Sequence, residues 1–89
     1  MMAQTMTQRH FDEAQKHVEL GIRHVIRQRE IVRQLERDGL AKAAEQARQL
    51  LDTFEAALEL QNQHLDTVAG EVAADEALRN AARRRPPEA

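Results

Sequence analysis

The sequence contains no cysteine, tryptophan or tyrosine, only two phenylalanines and only three glycines among its 89 residues. The lack of cysteine excludes disulfides, thiolate metal ligands and cysteine nucleophiles. Proline does not occur before Pro86, so it interrupts no helix over most of the chain. No apolar run approaches the roughly 20 residues of a membrane-spanning helix, and residues 1–7 lack the basic and apolar regions of a signal peptide. We therefore expect one small cytoplasmic domain without a membrane partner.

The residues that are present favour a charged, helical protein. Charged residues make up 31% of the chain, and its most frequent types (Ala, Glu, Gln, Arg and Leu) are strong helix formers. The net charge of −2 argues against a general binder of polyanions. The charge is uneven, because residues 23–37 contain five Arg and two Glu, whereas residues 41–78 contain eight acidic and two basic residues. Opposite charges on successive segments favour folding one segment back on the other.

Local signals predict where the helices begin and end. Asp38-Gly39 is a helix stop, in which the glycine adopts the left-handed conformation that follows a helix cap. Thr5 or Thr7 can cap the first helix, and Thr5 with Gln8 fits a capping box. We expect a disordered leader over 1–6, a helical hairpin over 7–78, and a frayed or disordered basic tail over 79–89. Within the hairpin, helix one covers about 7–37, the turn 38–40, and helix two about 41–78.

Two seven-residue repeats predict how the helices pack. We label the core-facing positions of each repeat a and d. In helix one they are Phe11, Ala14, Val18, Gly21, Val25, Gln28, Val32 and Leu35. In helix two they are Ala44, Ala47, Leu51, Phe54, Leu58, Gln61, Leu65, Val68 and Val72. A fold at the turn pairs these positions in layers whose residue numbers sum to 79, and Gly21 makes room for Leu58. The repeats predict an all-α, antiparallel two-helix hairpin with coiled-coil-like packing.

A single hairpin has only one seam, and this chain has no disulfide to reinforce it, so we expect association to complete the core. Further apolar residues border the seam on one flank, with a smaller patch of Ile22 and Ile26 on the other. The predicted dimer interface consists of Leu20, His24, Ile31, Leu50, Ala57 and Leu60. Two copies joined by a two-fold axis would form a four-helix bundle. The alternatives are a monomer with scattered exposed aliphatic residues and an adaptor that binds an unknown protein partner.

The histidines are the residue type whose spacing suggests chemistry. His10, His17 and His24 recur every seven residues and share one helix face, about 10.5 Å apart, which is too far for two of them to bind one ion. Across the hairpin, we expect His17 beside His64. The candidate metal ligands are His10, Glu13, His17, His64 and Glu71. They could bind a divalent metal, act as a pH-sensitive contact, or simply be partly solvated residues at the edge of an interface. Neither ExxH nor HxxxH spacing occurs, and we expect no cofactor.

Two groups of arginines are candidates for binding phosphate. The Arg residues between 23 and 37 could meet phosphates, but Glu45, Asp52 and Glu55 on the second helix offer counter-charges. The run Arg83–Arg85 is interpreted as a solubilising terminus. We therefore expect no nucleic-acid partner.

A phosphotransfer role is a further alternative. The segment His10-Phe11-Asp12 superficially resembles the phospho-accepting segment of histidine-kinase dimerisation helices. The surrounding signature of that family is missing, and we expect no ATP-binding domain. No Ser-His-Asp arrangement, Gly-rich phosphate loop or paired-carboxylate site can be assembled, so we expect no enzyme.

The segment His24-Val-Ile-Arg-Gln-Arg-Glu-Ile-Val-Arg-Gln-Leu-Glu-Arg-Asp-Gly39, followed by Leu50-Leu51-Asp-Thr-Phe54-Glu, resembles short bacterial helical-hairpin proteins, chiefly of alphaproteobacteria. That group shares the themes Arg-Gln-Arg-Glu, Leu-Glu-Arg-Asp-Gly and Leu-Leu-x-x-Phe-Glu. The resemblance covers roughly residues 14–64 and implies a helical hairpin from a bacterium, with no assigned activity. This chain continues with Leu40-Ala41-Lys42, where the group leads us to expect a polar capping residue. The function favoured is a small helical oligomerisation and interaction module, with a metal- or pH-responsive regulator or a phosphotransfer-like accessory protein as alternatives.

Overall fold

The computed structural model describes residues 5–84, and this part of the chain forms two helices joined by a short turn. Helix α1 spans Met6–Arg37 and helix α2 spans Ala41–Arg83. The two helices pack against each other along their lengths in opposite directions. This confirms the predicted all-helical fold of two long packed helices.

Helix α1 begins at Met6 because Thr5 caps it. The backbone of Thr5 is extended (φ −67°, ψ 157°), and its hydroxyl accepts a hydrogen bond from the backbone N–H of Gln8 at 3.1 Å. This bond satisfies one of the amide groups left free in the first turn of a helix. The prediction of a disordered leader over residues 1–6 is therefore wrong for Thr5 and Met6, and residues 1–4 lie outside the described residues.

The turn lies at the predicted Asp38-Gly39. Gly39 has a φ of +73°, and its N–H donates to the carbonyl of Glu36 at 3.1 Å. The N–H of Leu40 donates to the carbonyl of Leu35 at 3.0 Å. This pair of bonds is the Schellman motif, which requires a left-handed residue and therefore favours glycine. Helix α2 then begins at Ala41 without a side-chain cap.

Substituting Gly39 with Ala is expected to lower the free energy of unfolding by about 1 kcal/mol, because an L-residue is strained in the left-handed conformation. The control is Gly70→Ala, which should raise it by about 0.5 kcal/mol or more. Gly70 lies inside α2, and an added Cβ would meet nothing within 4 Å. Urea denaturation at one protein concentration measures both. Effects of the same sign would contradict the assigned role of Gly39.

Helix α2 runs to Arg83, beyond the end at 78 that the sequence pattern predicted. The prediction of a frayed tail over residues 79–89 is therefore wrong for residues 79–83, and residues 85–89 lie outside the described range. Two features sustain the helix here. The segment 73–83 is rich in Ala, the strongest helix former. In addition, the Arg79 guanidinium lies 2.9 Å from the Asp75 carboxylate one turn earlier.

The core lies along the seam between the helices, at the predicted positions. The buried ones are Ala14, Val18, Gly21, Val25, Gln28, Val32, Ala44, Ala47 and Val68. The remaining predicted positions are half-buried, namely Phe11, Leu35, Leu51, Phe54, Leu58, Gln61, Leu65 and Val72. The large side chains of α2 thus stay partly accessible, because one neighbouring helix cannot surround them.

Contacts across the seam follow the predicted register. A Cβ added at Gly21 would lie 3.1 Å from Leu58 Cδ1, so the glycine makes room for Leu58 as expected. The added Cβ would meet Gln61 Oε1 at an even shorter distance, which the sequence pattern did not indicate. This oxygen is buried and has no hydrogen-bond partner within residues 5–84. The other glutamine of the seam, Gln28, is satisfied, because its Nε2 donates to the carbonyl of Ala47 at 3.0 Å.

Candidate interaction surface

The seam divides the rest of the hairpin surface into two flanks, which helix periodicity assigns residue by residue. We call one of them the low-charge face. It consists of His10, Glu13, His17, Leu20, His24, Arg27, Ile31 and Gln34 of α1, with Gln46, Leu50, Thr53, Ala57, Leu60, His64, Thr67 and Glu71 of α2. We call the other the charged flank. It consists of Asp12, Gln15, Glu19, Ile22, Ile26, Arg29, Arg33 and Glu36 of α1, with Glu45, Arg48, Asp52, Glu55, Glu59, Asn62, Asp66 and Ala69 of α2.

The two flanks differ sharply in ionisable residues. Eleven of the sixteen positions of the charged flank carry Asp, Glu, Lys or Arg. The low-charge face has three such residues, Glu13, Arg27 and Glu71. Because both flanks border the same seam, position relative to the core does not account for the contrast. Depletion of charge is instead a property of the buried centre of protein interfaces.

Exposed aliphatic side chains lie on both flanks. On the low-charge face, Leu20 is 47% exposed, Leu50 46% and Leu60 66%. On the charged flank, Ile22 is 42% exposed and Ile26 50%. Apolar exposure alone therefore does not distinguish the flanks. What distinguishes the flanks is the charge of their other positions, since the isoleucines share their flank with eleven Asp, Glu or Arg residues and the leucines share theirs with three.

The charged flank supplies its own counter-charges. Arg29 pairs with Glu55 across the seam at 3.3 Å, and Arg48 pairs with Glu36 at 3.0 Å. Arg48 also contacts Glu45 at 2.9 Å, and the hydrogen bonds that its guanidinium donates to that carboxylate raise the pKa of Arg48 above its usual range. Exposed pairs of this kind contribute little to stability, because water and salt screen them. The expected counter-charge for the Arg residues of α1 is confirmed at Glu55, whereas Glu45 pairs with a residue of its own helix.

The predicted dimer interface lies entirely on the low-charge face. Its members that are exposed to solvent in the single chain are Leu20, His24, Leu50, Ala57 and Leu60. Ile31 is half-buried. The face borders the seam residue Phe54, whose ring lies 5.6 Å from the imidazole of His24. A partner on this face would therefore cover both the exposed leucines and the accessible edge of the core.

All four histidines of the protein lie on the low-charge face, each at the position that adjoins the seam. All four are exposed in the single chain. The candidate metal ligands were His10, Glu13, His17, His64 and Glu71. Within residues 5–84 the structure brings no three His, Asp or Glu side chains together around a point that could hold a metal ion. In the segment proposed for phosphotransfer, His10 is exposed, whereas Phe11 and Asp12 are half-buried.

Neither helix in the described part of the chain contains an apolar stretch of the length and character needed to cross a membrane. The resemblance to alphaproteobacterial hairpin proteins remains a prediction from the residues that carry it. No protein-family model matches the chain, and no curated protein or solved structure is significantly similar to it.

Proposed function

We propose that this chain is a cytoplasmic protein-interaction module, without catalytic activity, that acts as a homodimer of hairpins. In this dimer the low-charge faces of two copies pack together to form a four-helix bundle. The observation that carries the proposal is the contrast between the flanks, since Asp, Glu, Lys or Arg occupies three of the sixteen positions on the low-charge face and eleven of the sixteen on the charged flank. A surface that faced water throughout would have no physical reason to avoid charge.

A second copy fits this face because the face is complementary to itself. We place the two-fold axis parallel to the helices, so that α1 of one copy packs antiparallel on α2 of the other. Rotation about such an axis leaves the position of each residue along the helix direction unchanged. Residues of α1 and α2 that are paired across the seam of one chain are therefore also level with each other between the two copies. Leu20 meets the partner's Leu60, and Ile31 meets the partner's Leu50. The largest apolar residues of the face are therefore paired with one another.

The same arrangement places no charged residue of the face opposite a like charge. His10 meets the partner's Glu71, Arg27 meets the partner's Thr53, and Glu13 meets a threonine as well. An axis perpendicular to the helices would instead place α1 on α1. One register of this kind aligns Leu20 with the partner's Ile31. His24 then lies against the partner's Arg27, and protonation of the imidazole would place two positive charges together. That register is unfavourable, and among the arrangements the parallel axis is the one that pairs Leu20 with Leu60 and Ile31 with Leu50 at the same time.

Sedimentation of three chains at micromolar concentration tests the proposal. The wild-type chain is expected to be a dimer. The variant Leu20→Glu with Leu60→Glu should dimerise roughly 100-fold more weakly, about 2.7 kcal/mol, because each dimer would bury four carboxylates. The control is Ile22→Glu with Ile26→Glu, which replaces aliphatic residues of similar exposure on the charged flank. This control should leave the dimer unchanged.

Two results would contradict the homodimer. One is a wild-type chain that stays monomeric and fully helical on dilution, with and without an added divalent metal, which would favour an adaptor whose low-charge face binds a different protein. The other is an equal loss of dimer in both double variants, which would mean that the low-charge face has no special role. Circular dichroism of all chains separates loss of association from loss of folding.

A further inference from the structure

Position on the helix determines which residues of the low-charge face point into the proposed bundle. The seam side of each helix points towards the other helix of the same chain. The partner chain lies in a direction at a right angle to this one. The bundle axis lies between the two directions. Two positions of each repeat point close to this axis, one on either side of it. One is position d, and the other is the position of the low-charge face that lies next to the seam. All four histidines occupy this second position.

The seam register sorts these positions into levels along the bundle. Each level contains one residue of α1 and one of α2 from each copy. From the turn towards the open end, the levels are Ile31 with Leu50, His24 with Ala57, His17 with His64, and His10 with Glu71. The level nearest the turn is aliphatic, and the polarity increases away from the turn.

We infer that the dimer binds a divalent transition-metal ion of the Zn²⁺ class at the level of His17 and His64. The inference rests on the proposed homodimer, because each chain supplies two imidazoles and two copies bring four around the two-fold axis. Tetrahedral coordination by four nitrogen ligands suits Zn²⁺, and an ion on the axis contacts both chains equally. A single chain contains too few ligands at this level, in accord with the lack of a three-residue cluster within residues 5–84.

The neighbouring residues support this level over the two others that contain histidine. At the level of His24 the second residue is Ala57, so two copies provide only two imidazoles, and His24 already packs beside the Phe54 ring. The level of His10 lies at the open end of the bundle, where water competes for the ion. Glu13 precedes His17 by one helical turn on the same face. From there a carboxylate can accept the second imidazole N–H, a common support for a metal-bound histidine.

The test uses the full-length, metal-free chain at pH 7.5, where imidazole is mostly neutral. Zn²⁺ is titrated by calorimetry, and the oligomeric state is measured in parallel by sedimentation. We expect one ion for every two chains. The variant His17→Gln with His64→Gln should raise the Kd for zinc roughly 100-fold or more, since it removes all four direct ligands. The control Glu59→Gln with Asp66→Asn removes two exposed carboxylates from the charged flank, outside the proposed interface, and should leave the Kd unchanged.

The outcomes separate this site from the dimer proposal. Three results would overturn the site and leave the dimer standing. The dimer could bind no zinc, or it could bind one ion per chain. It could also lose zinc binding with His24→Gln and keep it with the double variant at His17 and His64. Loss of binding with His10→Gln but not with the double variant also overturns the assignment. A chain that stays monomeric with and without zinc overturns both proposals. Dimerisation by the wild-type chain only when zinc is added, and not by the double variant, supports the site.

Discussion

Substitution of Val25 with Asp is expected to abolish the cooperative unfolding transition of the hairpin at neutral pH. Val25 is 4% exposed and lies near the middle of the seam, where the register places it opposite Phe54. An aspartate there must either keep its charge in an apolar environment or take up a proton. Protonation at pH 7 of a group whose ordinary pKa is about 3.9 costs about 4 kcal/mol. A hairpin with so small a core has little stability to lose.

The neighbouring residue provides the control for this prediction. Ile26 follows Val25 in the chain but is 50% exposed on the charged flank. Ile26→Asp adds the same charge at nearly the same height and should change the free energy of unfolding by about 0.5 kcal/mol or less. Urea denaturation followed by circular dichroism measures both variants. Equal losses would mean that the seam is not the core.

Acidification provides a second test of Val25→Asp. Burial raises the pKa of the introduced carboxyl in the folded state above its value in the unfolded state. The folded chain therefore holds its proton more tightly, and the destabilisation grows as the pH rises above about 4. Below that pH the group is neutral in both states, and most of the difference between Val25→Asp and Ile26→Asp should disappear. A difference that does not vary with pH would contradict a buried charge as the cause.

The second large effect is expected at Gly21, where Leu should destabilise the hairpin by about 2 kcal/mol. Leucine is a better helix former than glycine by nearly 1 kcal/mol, so helix propensity alone predicts the opposite sign. The space opposite Gly21 is already filled by Leu58 and by the amide of Gln61. Overpacking a closely packed site typically costs 1–3 kcal/mol. The loss must exceed the gain in propensity for the net effect to be negative.

Gly70→Leu is the matched control for Gly21→Leu. Both glycines lie inside helices, but a Cβ at Gly70 would meet nothing within 4 Å. The control should therefore gain stability from helix propensity, whereas Gly21→Leu should lose it. A gain at both positions would show that the close approach at Gly21 does not constrain the packing. Combining Gly21→Ala with Gln61→Ala should relieve the crowding, because the nearest obstructing atom is removed with the amide.

The proposed dimer and the proposed metal site make different demands on the low-charge face. The dimer depends on the aliphatic levels nearer the turn, which include Ile31 and Leu50. The metal site depends on one level of histidines further along the bundle. Variants at Leu20 and Leu60 therefore test association through apolar packing, and variants at His17 and His64 test the ligands. Measuring zinc binding in both sets would establish whether the ion reinforces an existing dimer or is required to form it.

The sequence by itself determined the fold and its register. A seven-residue apolar repeat needs only local regularity to be recognised, and it persists through both helices. The turn at Asp38-Gly39 and the helix cap at Thr5 depend on hydrogen bonds between residues close in sequence. Their roles could therefore be predicted from the sequence as well. The predicted end of α2 was wrong because the apolar repeat ends earlier than the helix. Asp75 and Arg79 occupy the next core-facing positions, yet the Ala-rich segment continues as helix by its own propensity.

Only the tertiary structure decided which side chains compete for the space along the seam. The repeat placed Leu58 opposite Gly21, but the amide of Gln61 reaches nearer to that glycine because side-chain conformations depend on what surrounds them. The ion pairs of Arg29 with Glu55 and of Arg48 with Glu36 likewise depend on the packed register, which brings residues far apart in sequence within 3.3 Å. These pairs identify the charged flank. Sequence spacing located the histidines on a common face, and packing left that face open, since two helices have too few sides to enclose it.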